Sequence, residues 1–129
     1  MILVDSSAWI EYLRGTERPI GVRVRALELT QQLAMTDVVV MELRAGARSD
    51  RQLQRLRTFI GSFDFLAVKG VQDFEHAAEL YRACRRNRVT VRNMTDCLIA
   101  AVAIRNDVPV LHHDSDFDVL ARYTPLRVA

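Results

Sequence analysis

Short apolar runs alternate with longer stretches of helical spacing along the chain. Ile2-Leu3-Val4 has the continuous apolar character of a buried strand and stops at Asp5 and the polar pair Ser6-Ser7. Residues 8–13 read as a short helix ending at Gly15. Val22, Ala26, Leu29 and Leu33 carry helical spacing over residues 20–33, entered through a proline. Leu53, Leu56, Phe59, Ile60 and Phe63 predict another helix, and residues 65–68 a strand closed by Gly70. Asp73 is suited to N-cap a helix bearing Phe74, Ala77, Ala78, Tyr81 and Cys84. Thr95 or Asp96 opens a helix over 97–105, and residues 108–111 form a third strand. Asp114 or Ser115 starts a helix through Leu120, and residues 125–128 fit a last short strand.

The segment TDVVVMEL, residues 36–43, carries two signals. Its three valines favour a strand, whereas the capping Asp37 and the run 42–47 favour a helix. The balance tips towards helix. Strands that alternate with helices predict an α/β fold, a parallel sheet flanked by helices on both faces. With 129 residues and no repeat or linker, the expectation is one domain over residues 1–129.

Composition narrows the class. Half the residues are hydrophobic, enough for a core without disulfide or metal staples. A net charge of +2 excludes both a disordered tail and a strongly basic nucleic-acid coat protein. Every basic residue except Lys69 is arginine, the better partner for planar phosphate or carboxylate contacts. No run approaches the roughly 18 apolar residues of a membrane span, and the start lacks a signal peptide's basic and apolar regions. Cys84 and Cys97 form no CxxC pair. The expectation is a soluble cytoplasmic protein with reduced cysteines and no membrane association.

The acids carry the candidate chemistry. Parallel sheets bind ligands at the carboxyl ends of their strands. Asp5 sits at the end of the first strand, Asp114 and Asp116 just beyond the strand at 108–111, and Asp96 at the start of an apolar helix. Glu42 is the acid set among apolar residues in the valine-rich segment. Each alone reads as a helix cap or a surface acid. Together they would repel one another unless a cation intervened, and an all-oxygen cluster suits Mg²⁺ or Mn²⁺ over zinc. Such ions activate water and neutralise charge growing on a phosphate.

These residues resemble a known family. ILVDSSAWIEYLRG at the start, VVVMELRAGA around Glu42 and MTDCLIAAVAIRNDVPVLHHDSDFDVLA near the end, in this order, are similar to PIN-domain ribonucleases, and among them the VapC toxins of type II toxin–antitoxin systems. The resemblance spans essentially the whole chain, and its first and third pieces together are the specific ones. It implies a PIN-like fold, a helical 36–47 segment and metal-dependent endoribonuclease activity. Asp5, Glu42, Asp96 and Asp114 then take the catalytic acidic positions, with Asp5, Asp96, Asp114 and accessory Asp116 at the metal; Glu42 holds metal or orients the attacking water. The implied partners are an RNA substrate, a cognate antitoxin and a second copy of the chain, as a homodimer or within a toxin–antitoxin hetero-oligomer. RNA rather than DNA as substrate comes from the resemblance alone. One position departs: two residues before Asp114 the family usually has Thr or Ser, and here stands His112.

Adjacent strand residues point to opposite faces, so at most one of His112 and His113 is expected to reach the site. Trp9, Tyr12 and Tyr81 read as core residues, and Cys97 as a small buried hydrophobe. Arg82, Arg85, Arg86, Arg88 and Arg92 cluster in the stretch leading to Asp96, which suits either a helix C-terminus or RNA phosphate. Rival readings fare worse. A Mg²⁺-binding receiver-like signalling module needs an acidic pair after the first strand and a late lysine, but Asp5 stands alone and no lysine follows Leu111. A haloacid-dehalogenase-like phosphatase needs most of the enzyme after its D-x-D motif, and Asp116 is near the end of the chain. A binding module whose acids only cap helices is the non-enzymatic alternative.

Overall fold

In the computed structural model, which describes residues 1–129, β1 (Ile2–Val4) leads into α1 (Ser6–Leu13) and α2 (Pro19–Glu28). β2 (Leu33–Met35) leads into α3 (Asp37–Ala45) and α4 (Asp50–Ile60), and β3 (Asp64–Phe65) into α5 (Gly70–Arg86) and α6 (Met94–Arg105). β4 (Val110–Leu111) and α7 (Ser115–Tyr123) close the chain. The strands pair in parallel in the order β3-β2-β1-β4, with Ile2 opposite Leu33 and Val4 opposite Leu111. The fold is the α/β sandwich expected from the sequence. From β1 the chain steps outward to β2 and β3, then returns to β4 on the far side of β1. Right-handed crossovers in these two directions place α1–α4 on one face of the sheet and α5–α6 on the other. β1 and β4 thus flank the point where the winding reverses, and their carboxyl ends lie at one edge.

Helix α6 is the centre of the molecule. Residues 96–103 are all buried, so this helix is apolar all round and shows no amphipathic period. It packs against α5, α7 and α3. Trp9, fully buried, anchors the other face in an aromatic group with Phe59 (5.4 Å between centroids) and Phe63 (4.7 Å). Tyr12 and Tyr81 are half-buried at the margin of the core. Cys84 and Cys97 are free and buried, and burial pushes the Cys97 thiol up to about 12.

Several predicted boundaries shift. The helix expected over 20–33 ends at Glu28, and Leu33 begins the central strand β2. Leu33, Ala34 and Met35 are too few to display a strand period, and Leu33 continued the helical spacing by coincidence. The first helix starts at Ser6, not residue 8, because Asp5 caps it. The strand expected over 65–68 is only Asp64–Phe65. The helix after it starts at Gly70, with Asp73 in its first turn and not at its cap. Asn93, not Thr95 or Asp96, caps α6: its side chain accepts the Thr95 N–H. The expected strand 125–128 reduces to one bridge between Val110 and Val128. The ambiguous segment 36–43 is helical from Asp37, and α4 ends at Ile60, before Phe63.

Asp73 has a structural task. Arg105 donates Nε to its Oδ1 (2.9 Å) and Nη2 to its Oδ2 (2.8 Å), while the Lys69 N–H donates to Oδ2 (2.7 Å). The pair clamps the start of α5 to the end of α6. Asp73→Ala should lower stability by about 2–3 kcal/mol, because it strands a partly buried guanidinium. The Arg105 hydrogen bonds hold the Asp73 carboxyl below its usual value. The stability it adds is therefore complete above about pH 4, the unfolded value, and is lost as pH falls through the lower folded value. Denaturant unfolding of both proteins from pH 7 to pH 2 checks this: the gap should shrink at the acid end, and a constant gap contradicts it.

Candidate metal centre

The carboxyl edge of the sheet collects acids because β1 and β4 each run into a helix capped by an aspartate. Asp5 ends β1 and caps α1, its Oδ2 accepting the Ser7 N–H (3.0 Å) and the Ser7 hydroxyl (2.6 Å). The same Ser7 oxygen accepts the His113 N–H (2.8 Å), which ties the end of β1 to the loop after β4. Asp114 caps α7 by accepting the Asp116 N–H on Oδ1 (3.0 Å), while its own N–H donates to His112 Nδ1 (3.1 Å). The His112 ring also packs on Phe117 (5.2 Å), and its Nε2 lies 3.3 Å from Asp118 Oδ1. The imidazole thus does for the Asp114 backbone what a serine or threonine hydroxyl does in an ordinary turn. Glu42 reaches in from α3, where the Ser6 hydroxyl donates to its Oε1 (3.2 Å).

Asp96 arrives from the opposite face, in the first turn of α6, and is 3% exposed. One oxygen from each of Asp96, Asp114 and Asp116 lies within 4.8 Å of the others. Burial raises the Asp5 carboxyl against the Ser7 hydrogen bonds, and the Asp114 charge raises it further. Glu42 is raised by burial, then by Asp5 and Asp114. Asp96 is pushed up to about 9 by burial, then by Asp5, Asp114 and Asp116. Asp5, Glu42, Asp96 and Asp114 therefore share one electrostatic neighbourhood.

The donor set fits a hard divalent cation. Four buried side-chain polar atoms in the protein lack a hydrogen-bond partner, and two of them are Asp5 Oδ1 and Asp96 Oδ2. A buried carboxylate oxygen without a donor needs a proton or a cation. All the donors are carboxylate oxygens, which suits Mg²⁺ or Mn²⁺.

Asp116 is engaged differently. Its Oδ2 accepts the backbone N–H groups of Arg92 and Asn93 (both 3.1 Å), and its Oδ1 accepts Arg92 Nε (3.2 Å). It anchors the turn that launches α6 and so sets where Asp96 stands. Of the five arginines singled out in the sequence, only Arg92 forms an ion pair, with Asp114 and Asp116. Arg82, Arg85 and Arg86 line a shallow concavity of about 280 Å³ on α5. Arg88 follows that helix in the left-handed region, φ 63°, where glycine is usual.

The roles of Ser6, Ser7 and Asn93 were not foreseen. The one available signal was hydroxyl or amide side chains directly beside an acid at a strand end or helix start. Two other concavities lie on the surface, one of them at this edge. One of about 400 Å³, floored by Ile10, Leu13, Leu43 and Leu56 with Arg14 and Arg48 at the rim, opens onto Glu42. Another, also about 400 Å³, holds Glu28 and Asp64 at the amino ends of β2 and β3, away from the acid cluster.

A helix-capping acid after each of the adjacent strands β1 and β4, with α6 delivering one more, is a nuclease-like arrangement, and the PIN domain family model matches residues 2–123. The chain belongs to the PIN domain family, and within it to the VapC ribonucleases. It is 44% identical to Ribonuclease VapC11 of Mycobacterium tuberculosis over 131 aligned residues, covering 100% of this chain and 98% of that protein. Solved structures share the fold. A toxin–antitoxin complex from Klebsiella pneumoniae aligns with TM-score 0.73 at 22% identity, over 91% of this chain and 90% of that one. VapBC2 from Rickettsia felis, bound to a DNA fragment from its promoter, aligns with TM-score 0.77 at 16% identity, over 100% and 98%.

The raised Asp96 carboxyl gives a test of the cluster without metal. The folded protein holds a proton there that the unfolded chain gives up, so stability should fall as pH rises from about 4 towards about 9. In EDTA, Asp96→Asn should flatten the dependence of unfolding free energy on pH between 5 and 8 by up to about one proton. Equal slopes in denaturant titrations of the two proteins would contradict the crowding of these acids.

Proposed function

We propose that the protein is a metal-dependent endoribonuclease, the toxic component of a toxin–antitoxin pair, that hydrolyses RNA phosphodiester bonds at the carboxyl edge of the sheet. The observation that carries the reading is the pair of partnerless buried oxygens: Asp96 Oδ2, in the carboxylate group with Asp114 and Asp116, and Asp5 Oδ1, whose carboxyl is electrostatically coupled to Asp96 and Asp114. Kinship with the VapC ribonucleases supports the choice of RNA.

Asp5, Asp96 and Asp114 would hold Mg²⁺ or Mn²⁺, which neutralises charge developing on the phosphate. Each is fixed beforehand: Asp5 by Ser7, Asp114 by its cap and His112, Asp96 by the buried run of α6. Glu42, half-buried and held by Ser6, has a carboxyl whose proton affinity is raised by burial and then by Asp5, which suits a proton acceptor for water. In this reading the water's oxygen bonds to phosphorus, its proton passes to a Glu42 oxygen, and a P–O ester bond breaks, the leaving oxygen keeping the bonding pair and taking a proton from solvent. Asp116 serves as the anchor of the α6 turn.

Arg82, Arg85, Arg86 and Arg88 offer phosphate contacts along the approach. The left-handed backbone at Arg88 is a strained place for a non-glycine residue, which fits a side chain kept for binding. The partner in this reading is a cognate antitoxin. The groove beside Glu42, with its apolar floor and arginine rim, fits an antitoxin segment of apolar and acidic side chains, whose basic residue would reach the half-buried carboxylates of Glu42 and Asp114. Assembly as a homodimer or a hetero-oligomer belongs to the same reading.

Purified protein should cut single-stranded RNA in Mg²⁺ and stop in EDTA. Asp5→Asn should cost at least about 10³ in rate while leaving the fold intact, by loss of a fixed charge at the reacting centre. Cleavage undiminished in EDTA or in the variant, followed on a gel with circular dichroism as the folding check, overturns the assignment.

A further inference from the structure

Arg92 is the one cation that touches the acid cluster. Its Nε lies 3.2 Å from Asp116 Oδ1, and its Nη2 lies 3.4 Å from Asp114 Oδ1 and 3.0 Å from Ser115 Oγ. Its backbone N–H is bonded separately to Asp116 Oδ2, so the main chain stays anchored whatever the side chain does. The side chain is 72% exposed and passes no barrier on leaving the acids. Asp5 Oδ1 and Asp96 Oδ2 have no donor at all, so the guanidinium neutralises only the outer part of the cluster. Asp114 belongs to both parts: it contacts Arg92, and it offers an oxygen close to Asp96.

A divalent ion that uses Asp114 or Asp116 therefore contends with Arg92 for the same oxygens. We infer that Arg92 is an exchangeable counter-cation: its side chain holds Asp114 and Asp116 while the ion is away, and the ion's arrival frees it to take a phosphodiester of the RNA strand. The inference rests on the nuclease reading above. Exposed guanidinium–carboxylate pairs are weak, so exchange costs little. The freed head group stays tethered one residue before the Asn93 cap of α6, within a side chain's length of the cluster. Its planar donors match two phosphate oxygens as well as they match a carboxylate.

Mn²⁺ affinity without RNA separates exchange from a merely structural role. Arg92→Gln removes the charge and keeps a shorter polar side chain, and Arg57→Gln, on the exposed side of α4 with no ion pair, controls for net charge. By calorimetric titration, Arg92→Gln should bind Mn²⁺ about two- to fivefold more tightly than wild type, and Arg57→Gln should stay near wild type. In saturating Mn²⁺, binding of a 2′-O-methyl oligoribonucleotide, which keeps the phosphates, should lose salt dependence by about 0.7 in Arg92→Gln, one phosphate's share on a single strand. Unchanged or weaker Mn²⁺ binding by a folded Arg92→Gln overturns the inference and leaves the nuclease reading standing. An unchanged salt slope overturns the phosphate contact. Absence of Mn²⁺ binding by wild type overturns both readings.

Discussion

The site depends on one electrostatic conflict, carboxylates taken out of water and set beside one another. Asp5 and Asp96 are both almost wholly buried, each has its own proton affinity raised by burial and then by neighbouring acids, and each has an oxygen with no donor. Like charges in this position are unfavourable in the folded chain unless protons or a cation neutralise them. Each strand–helix junction around them holds an acid still against that repulsion, and that immobility readies the edge for chemistry on a charged phosphate.

The devices that hold the acids are local and cheap. A helix cap at Asp5, another at Asp114 and an amide cap at Asn93 each bring an acid to a helix start. Ser7 then links the start of α1 to the loop before α7 by accepting the His113 N–H, and His112 braces that loop by accepting the Asp114 N–H. Long-range order comes from α6, whose fully buried run ties Asp96 to the centre of the core, and from Asp116, which grips the turn before it. His112 Nδ1 accepts the Asp114 N–H, so a ring nitrogen closes this turn at the position that departs from the family pattern.

Much of this was legible in the residues. The alternation of strand and helix, the acids after Val4 and Leu111, and the apolar run after Asp96 are local patterns, and local patterns survive in a sequence. Residues 37–45 are helical as expected, but not because Asp37 caps them: Thr36 is the N-cap, and the Asp37 carboxylate accepts the Val68 N–H. Strand β2 was hidden because three residues show no period and Leu33 happened to continue a helical one. The clamp of Asp73 by Arg105 and the double use of Arg92 were also out of reach, since both join residues distant in sequence and no spacing rule covers them. Asp73 looked like a cap, and Arg92 like a free cation, for that reason.

In the proposed nuclease the acid cluster exchanges protons for a divalent ion. With Asp96 pushed up to about 9, the protein without metal should carry a proton there near pH 7. Mn²⁺ titrations at pH 7 in buffers of different ionisation enthalpy count the protons released on binding. Release of about one proton per chain is expected, lost in Asp96→Asn. Binding without proton release, or release that survives in Asp96→Asn, would contradict it.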